Sequence, residues 1–485
     1  MVPVIFITDG LIFLLLAMVF SFVWYARGQE HLRAPWRIVA RNPMAMASAI
    51  ILFFYLLIGL ADSIHFHPLL DEVPGMDDVQ KLRNTSSQED VTGKVSQYST
   101  EILSLLDVAI THLRVRDEKT YSAPFAAYAY SKETVELSDG STIREFPRLD
   151  YGGAHLSDPE QEKTADVLLK GLAGFICGLV VCCFVSCLFI FTMKYRYKLL
   201  FMDVFNNMFV ENNDVPWRVI HLTIGCVIVS LAVLLTLSNY YHILGTDKVG
   251  QDVFYQSLKS VRTGLVIGTL TTLVMLPFAI LMGLMAGYFR GLIDDVIQYL
   301  YTTLSSIPGV LLIAAAILML QVYMANHADD FVSLEQRADM RLLFLCIILG
   351  ITSWTTLCRL LRGETMKLRE IDYVQAAQAF GVSHSRIILR HLLPNVMHIV
   401  MISIVLDFSG LVLAEAVLSY INIGVDPSMH SWGNMINSAR LEMAREPIVW
   451  WSLAAAFVFM FFLVLAANLL SDAVRDAFDP RLRGS

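Results

Sequence analysis

The feature that most limits what this chain can become is its series of long, sparsely charged apolar runs. Nine are legible, at residues 4–25, 44–63, 167–193, 219–240, 263–288, 296–324, 342–361, 396–420 and 448–470. A helix of about 20 apolar residues crosses a hydrocarbon core of about 30 Å. Lipid offers no hydrogen bond to a bare backbone, so each crossing must satisfy its own peptide groups as a helix. The expectation is an all-α, polytopic membrane helical bundle of about nine transmembrane helices. No basic stretch precedes the first run and no small-residue cleavage site follows it, so it reads as a retained helix rather than a signal peptide. With 56% hydrophobic and only 16% charged residues, the chain is not three soluble domains.

Charge placement divides the chain and orients it. Residues 64–166 carry 19 Asp and Glu against 10 Lys and Arg, a net −9, so the remainder of a chain of net −8 sums to +1. An acidic soluble insert therefore interrupts a nearly neutral membrane body, and no basic surface invites a nucleic acid. Basic residues gather in alternate short loops: Arg27, Arg33, Arg37 and Arg41; Lys194, Arg196, Lys198 and Arg218; Arg359, Arg362, Lys367, Arg369, Arg386 and Arg390; and Arg475, Arg481 and Arg483. Positive loops stay on the cytoplasmic side, which puts the N terminus outside and the C terminus inside, as an odd number of crossings requires. The insert then lies outside. A helix is expected in it at 95–115, with Ile102, Leu103, Leu106, Ile110 and Leu113 on one face. Turn-rich pieces at 121–130 and 138–153 follow.

The seven cysteines, Cys177, Cys182, Cys183, Cys187, Cys226, Cys346 and Cys358, all lie in apolar runs. Adjacent Cys182 and Cys183 point to different helix faces and no His joins them, so ordinary packing is the expectation and no metal site is assigned. Ionisable groups inside spans are costly and draw attention. Asp407 and Glu415 in span eight are tentative pathway residues, with a structural hydrogen bond as the leading reading. Asp9 in span one is expected near the outer interface, Arg262 sits at the mouth of span five, and for these too a structural hydrogen bond is the leading reading.

The most informative segment is the cytoplasmic loop at 373–395, YVQAAQAFGVSHSRIILRHLLPN. Small Ala376, Ala377 and Ala379 favour helix and let another surface come close. Gly381 is suited to ending that helix in a left-handed conformation. A second short helix, at 383–392, is expected to stop near Pro394. Arg386 and Arg390 charge it.

This pattern resembles the EAA loop of ATP-binding-cassette importer permeases, with Gln375, Ala376, Ala377, Gly381, Leu393 and Pro394 in register. Gln375 stands in the Glu position and His391 in the Ile position. Other matches are Arg41-Asn42-Pro43-Met44-Ala45, Leu244-Gly245-Thr246-Asp247 with Gly250 and Asp252, Ser305-Ser306-Ile307-Pro308 as a break in span six, Leu418-Ser419-Tyr420, Gly424, Ser431-Trp432-Gly433, and Arg475-Asp476-Ala477 with Asp479-Pro480-Arg481. Together they are similar to the C-type subunit of dipeptide and oligopeptide permeases. That subunit has a six-helix core. Here the core would be 44–63 and 241–485, with an extra helix and basic segment at 1–43, the acidic insert at 64–166 and two extra helices at 167–240.

The resemblance implies a transport subunit of the bacterial cytoplasmic membrane that is not itself an enzyme. No Gly-x-x-x-x-Gly-Lys-[Ser/Thr] loop occurs, so this chain is expected to bind no cofactor, and ATP and Mg would act in two ATP-binding subunits. Further implied partners are a second permease subunit, a periplasmic peptide-binding protein and the lipid bilayer. Tyr373, Gln375, Ala376, Ala377, Gly381, Arg386 and Pro394 would couple to the ATPase. Gly245, Thr246, Asp247, Trp432 and Gly433 would face the binding protein. Nickel, glutathione or a modified peptide are alternative cargoes, and a membrane scaffold or sensor is the alternative from another class.

Overall fold

The computed structural model describes residues 2–28, 30–68, 99, 101–136, 142–197, 215–327 and 333–478. Among them, eight helical stretches are long and apolar enough to cross a membrane, and a ninth, Ile7–Ser21, is apolar but shorter. The expected span one is thus the weakest. Asp9 and Thr8 in its first turn are completely buried in protein, where polar neighbours can serve them as lipid cannot.

The chain begins with strand β1 (Val2–Val4), helix α1 (Ile7–Ala26), helix α2 (Glu30–Arg41) and helix α3 (Pro43–Asp62). The Asn42 carboxamide caps α3 by accepting from the Met44 and Ala45 N–H groups, with Pro43 at a position that needs no donor. In the insert, β2 (His65–His67) pairs antiparallel with β1 and with β3 (Leu103–Ser104). The helix expected at 95–115 is reduced to α4 (Leu105–Ala109) and α5 (Thr111–Arg114). Its residues 95–98 and 100 lie outside the described ones. The start is fixed by a capping box, in which the Ser104 hydroxyl accepts from the Asp107 N–H and the Asp107 carboxylate accepts from the Ser104 N–H. A hairpin, β4 (Glu133–Glu136) and β5 (Thr142–Glu145), completes the insert.

Helices α6 (Pro159–Tyr197) and α7 (Trp217–Ser238) pack along each other, and α7 rests on α3. Their contact is set by Gly174 and Gly178, one turn apart on α6. A Cβ there would stand 2.9 Å from the Val233 Cα and 2.8 Å from the Val229 Cα. This is small-residue packing, by which helices associate where apolar burial gives no advantage.

The remaining helices surround α8 (Val253–Phe289), which touches α1, α3, α9 (Leu292–Ser306), α11 (Leu334–Ser353), α12 (Thr355–Arg369), α15 (Leu393–Tyr420) and α17 (Trp451–Phe478). Span six is two helices, α9 and α10 (Gly309–Asn326), broken at Ile307 and Pro308 where the sequence indicated. Helix α8 lies close on α12 because Gly283 and Gly287 carry no Cβ; one at 287 would stand 2.7 Å from the Arg362 carbonyl oxygen.

The two ends of the bundle differ. One carries the insert, β1 and the start of α8. The other carries α2, whose Trp36 meets Phe478 of α17 edge-on at 5.7 Å, and the 372–394 loop beside Tyr288 at the end of α8.

Candidate functional site

The loop singled out from sequence begins as helix α13 (Asp372–Ala379). It ends in a Schellman turn. Gly381 has φ +72°, its N–H donates to the Gln378 carbonyl, and the Val382 N–H donates to the Ala377 carbonyl, at 3.0 and 3.1 Å. Nothing lies within 4 Å of where a Gly381 Cβ would be, so glycine is demanded by backbone conformation and not by space.

The second helix departs from expectation. Helix α14 (His384–Ile387) runs through a π-turn, Ile388–Leu392, directly into α15. Pro394 does not stop it; it sits in the first turn of α15, where a missing N–H costs little. The wider π-turn takes up the change of pairing. The loop is consequently continuous with a membrane-crossing helix.

Three side chains fasten the loop. Val374, Ile387 and Leu392 are completely buried in a cluster with Leu361 of α12 and Tyr288 of α8. The Tyr288 hydroxyl lies 2.8 Å from His384 Nδ1 and accepts from the Gln378 amide, while Arg369 donates to the Tyr288 carbonyl. Nearby, Arg362 holds Asp294 of α9 with two parallel hydrogen bonds of 2.5 and 2.8 Å. The opposite face is open. Gln375, Ala376, Gly381, Arg386 and Pro394 are exposed, Ala377 is half-buried, and Phe380 is 86% exposed. The Tyr373 hydroxyl accepts from Asn395, and Gln375 reaches back to the Glu370 carbonyl. Tyr288 and Phe380 escaped sequence reasoning. A tyrosine at a helix end reads as packing, whereas a phenylalanine beside Gly381 in a loop between two spans was a signal to weigh.

At the other end, the residues expected to face a partner lie mostly inside. Gly245, Thr246, Trp432 and Gly433 are buried. The Thr246 hydroxyl donates to the Thr120 carbonyl and accepts from the Ser122 N–H, and Trp451 donates to the Thr246 carbonyl. Trp432 donates to the Ser257 carbonyl. Asp247, half-buried, spends its carboxylate on the Val249 and Gln251 N–H groups and the Gln256 amide. Gly245 and Thr246 thus seat the insert on the core through Thr120 and Ser122, whereas Trp432 and Gly433 are enclosed by α8 and α15.

Behind them stands a buried polar link. Glu118 of the insert accepts from the Asp150, Tyr151 and Gly152 N–H groups and pairs with His242, which also lies 2.7 Å from Asp252, the N-cap of α8. Burial alone would raise the Glu118 carboxyl, but the bonds from His242 and the three N–H groups bring it down to about 2. Burial would likewise lower His242, but its hydrogen bonds and the charges of Asp252 and Glu118 raise it to about 9.

The span carboxylates divide. Glu415 is sealed in, accepting from Ser419 at 2.7 Å beside Gly433. Asp407 is half-buried on α15. Asp9 makes the expected structural hydrogen bond, accepting from Arg262 inside the protein at the insert end, beside His65.

Residues 279–484 match the family described as the binding-protein-dependent transport system inner membrane component. The chain is 32% identical over 244 residues to the glutathione transport system permease protein GsiD of Pectobacterium atrosepticum, covering 50% of this chain and 73% of that protein. The chain belongs to this family. Over 242 residues this permease is also 32% identical to the oligopeptide transport system permease protein OppC of Mycobacterium tuberculosis (50% and 77% covered). It is 28% identical to the dipeptide transport system permease protein DppC of Bacillus subtilis (50% and 69% covered). The permease is a multi-pass inner-membrane transport component, and the matched residues include the whole 372–394 loop.

Proposed function

We propose that this permease is the C-type subunit of an ATP-driven peptide importer and that its 372–394 loop couples it to a separate ATPase. The observation that carries this is the loop itself, a small-residue helix with an exposed Phe380 held by three buried anchors and running unbroken into α15. Tyr373, Gln375, Ala376, Ala377, Gly381, Arg386 and Pro394 form or support the docking face. ATP and Mg belong to two partner ATPases, and a second permease and an external peptide-binding protein complete the complex. Nucleotide-driven closure of the ATPases moves α13 and α14, and α15 with them, switching the pathway between its two sides.

In this reading the N terminus lies outside and the C terminus inside, as supported by the basic loops and by the clustering of α2, the loop and the end of α17 at one end of the bundle. The division into an added helix at 1–43, a first core helix at 44–63, an insert at 64–166, two added helices at 167–240 and a core at 241–485 belongs to the same proposal. Peptide cargo is supported by the likeness to OppC and DppC. Glutathione is the second reading, favoured by the 32% identity to GsiD.

Uptake of labelled di- and oligopeptides and of glutathione, in a deletion strain and a complemented one, tests the cargo. Loss and restoration of peptide uptake supports the reading; normal peptide uptake with lost glutathione uptake replaces it. Phe380→Asp tests the docking face, with the ATPase expected to fall away from the purified complex.

A further inference from the structure

A cavity of about 650 Å³ opens at the insert end, between the 247–256 segment at the start of α8 and helix α16 (Trp432–Glu442). That volume is within the range of small-ligand sites. Most of its charged lining is already committed. Asp247 is satisfied on both oxygens, Arg440 donates to the Tyr420 carbonyl and lies 5.0 Å from the Tyr420 ring, and Glu442 accepts from Arg445. Lys248 stands exposed at the rim.

The uncommitted groups are neutral. Gln251 uses only its carbonyl oxygen, accepting from Gln256. Asn434 spends its amide N–H groups on the Asp426 and Met429 carbonyls and keeps its own oxygen. Among the described residues, the side chains of Asn437, Ser438 and Ser452 make no hydrogen bond. Tyr121, contributed by the insert and only 5% exposed, closes the cavity wall with its hydroxyl turned to Glu442 and Arg445.

Carboxamides and hydroxyls both donate and accept. A ligand suited to this set offers alternating N–H and C=O groups and no compulsory charge. A free anion or cation would find few unspent partners, and a lipid tail would strand the amides. We propose that this cavity receives the backbone of the transported peptide in extended form, bound without regard to side-chain sequence. The inference rests on the peptide-import reading and gives that reading a place on this chain. It also makes one helix span the process, because α8 lines the cavity at its start and holds the 372–394 loop through Tyr288 at its end.

The test uses the complete complex in nanodiscs with Ser438→Cys and a pentapeptide bearing a bromoacetyl group, delivered on the binding protein with ATP. Mass spectrometry locates the adduct, and uptake of the unmodified labelled peptide is measured in parallel. Alkylation at position 438 that needs ATP and is suppressed by excess plain peptide is the expected result. Gln251→Ala with Asn437→Ala should then weaken it by about fivefold, the loss of one or two neutral hydrogen bonds. No adduct while uptake proceeds overturns the proposal. So does protection of position 438 from bromoacetamide by the peptide-free binding protein, which would assign the cavity to a loop of that protein. Absence of peptide uptake itself would instead remove the peptide-import reading, and this site with it.

Discussion

Asp9 Oδ1 accepts two hydrogen bonds from Arg262, from Nε at 3.0 Å and Nη2 at 2.7 Å, across 253 positions of sequence. Both side chains are at least nine-tenths buried, and the second Asp9 oxygen lies 3.0 Å from His65. Arg262 also faces Asp339 of α11, which accepts from Thr8. One guanidinium thus ties α1 to α8 and α11. Asp9→Ala strands that charge, and breaking a buried pair typically costs about 3–5 kcal/mol. The purified complex should lose thermal stability sharply. Asp9→Leu combined with Arg262→Met should recover part of the loss, since it removes both charges. A double variant no better than Asp9→Ala would show that the pair does more than satisfy itself.

Gly381 occupies φ +72° in open space. Residues with a Cβ lose about 1–2 kcal/mol there, and asparagine less. Uptake should fall in the order Gly381, Gly381→Asn, Gly381→Ala, with Gly381→Val lowest, while the permease still assembles with its partners. Equal uptake across the series would deny the turn a part in transmission.

The Glu118–His242 pair makes seating of the insert depend on pH. His242 is raised to about 9 from an ordinary 6.5, so its contribution is complete below pH 6.5 and is lost as pH rises through 9. Glu118 is lowered to about 2 from 4.5, so its contribution is complete above pH 4.5 and is lost as pH falls through 2. Amide exchange in residues 118–153 should be slow at pH 7 and, after correction for intrinsic rate, quicken above pH 9. His242→Gln should flatten that profile. A profile unchanged by the substitution would place the dependence elsewhere.

Gly174 and Gly178 bring α6 onto α7 at backbone contact. Gly178→Leu should cost about 1–3 kcal/mol by overpacking and lower the melting temperature. Gly171→Leu, where nothing lies within 4 Å, is the control and should leave it unchanged. Matching shifts in the two variants would mean the cost is not one of helix contact.

The spans, the break at Pro308, the basic loops and the left-handed turn at Gly381 were all legible in the sequence, because each follows from local composition or from the conformational range of one residue. The glycine pair at 174 and 178 passed unread, because only the fold supplied the partner helix that gives it meaning. Tertiary structure alone decided what the isolated charges do. Asp9 read as a hydrogen-bonded span residue, but its partner Arg262 comes from a distant helix, and Thr246 and Trp432 looked like surface until Ser122 of the insert closed on the first and α8 on the second. Periodicity tells which residues a helix presents to one side, but burial depends on which element occupies that side. For the same reason Pro394 was misread. Its ring forbids a donor at one position, and whether that position ends a helix or begins one depends on the chain before it, here a π-turn anchored by Ile387 and Leu392.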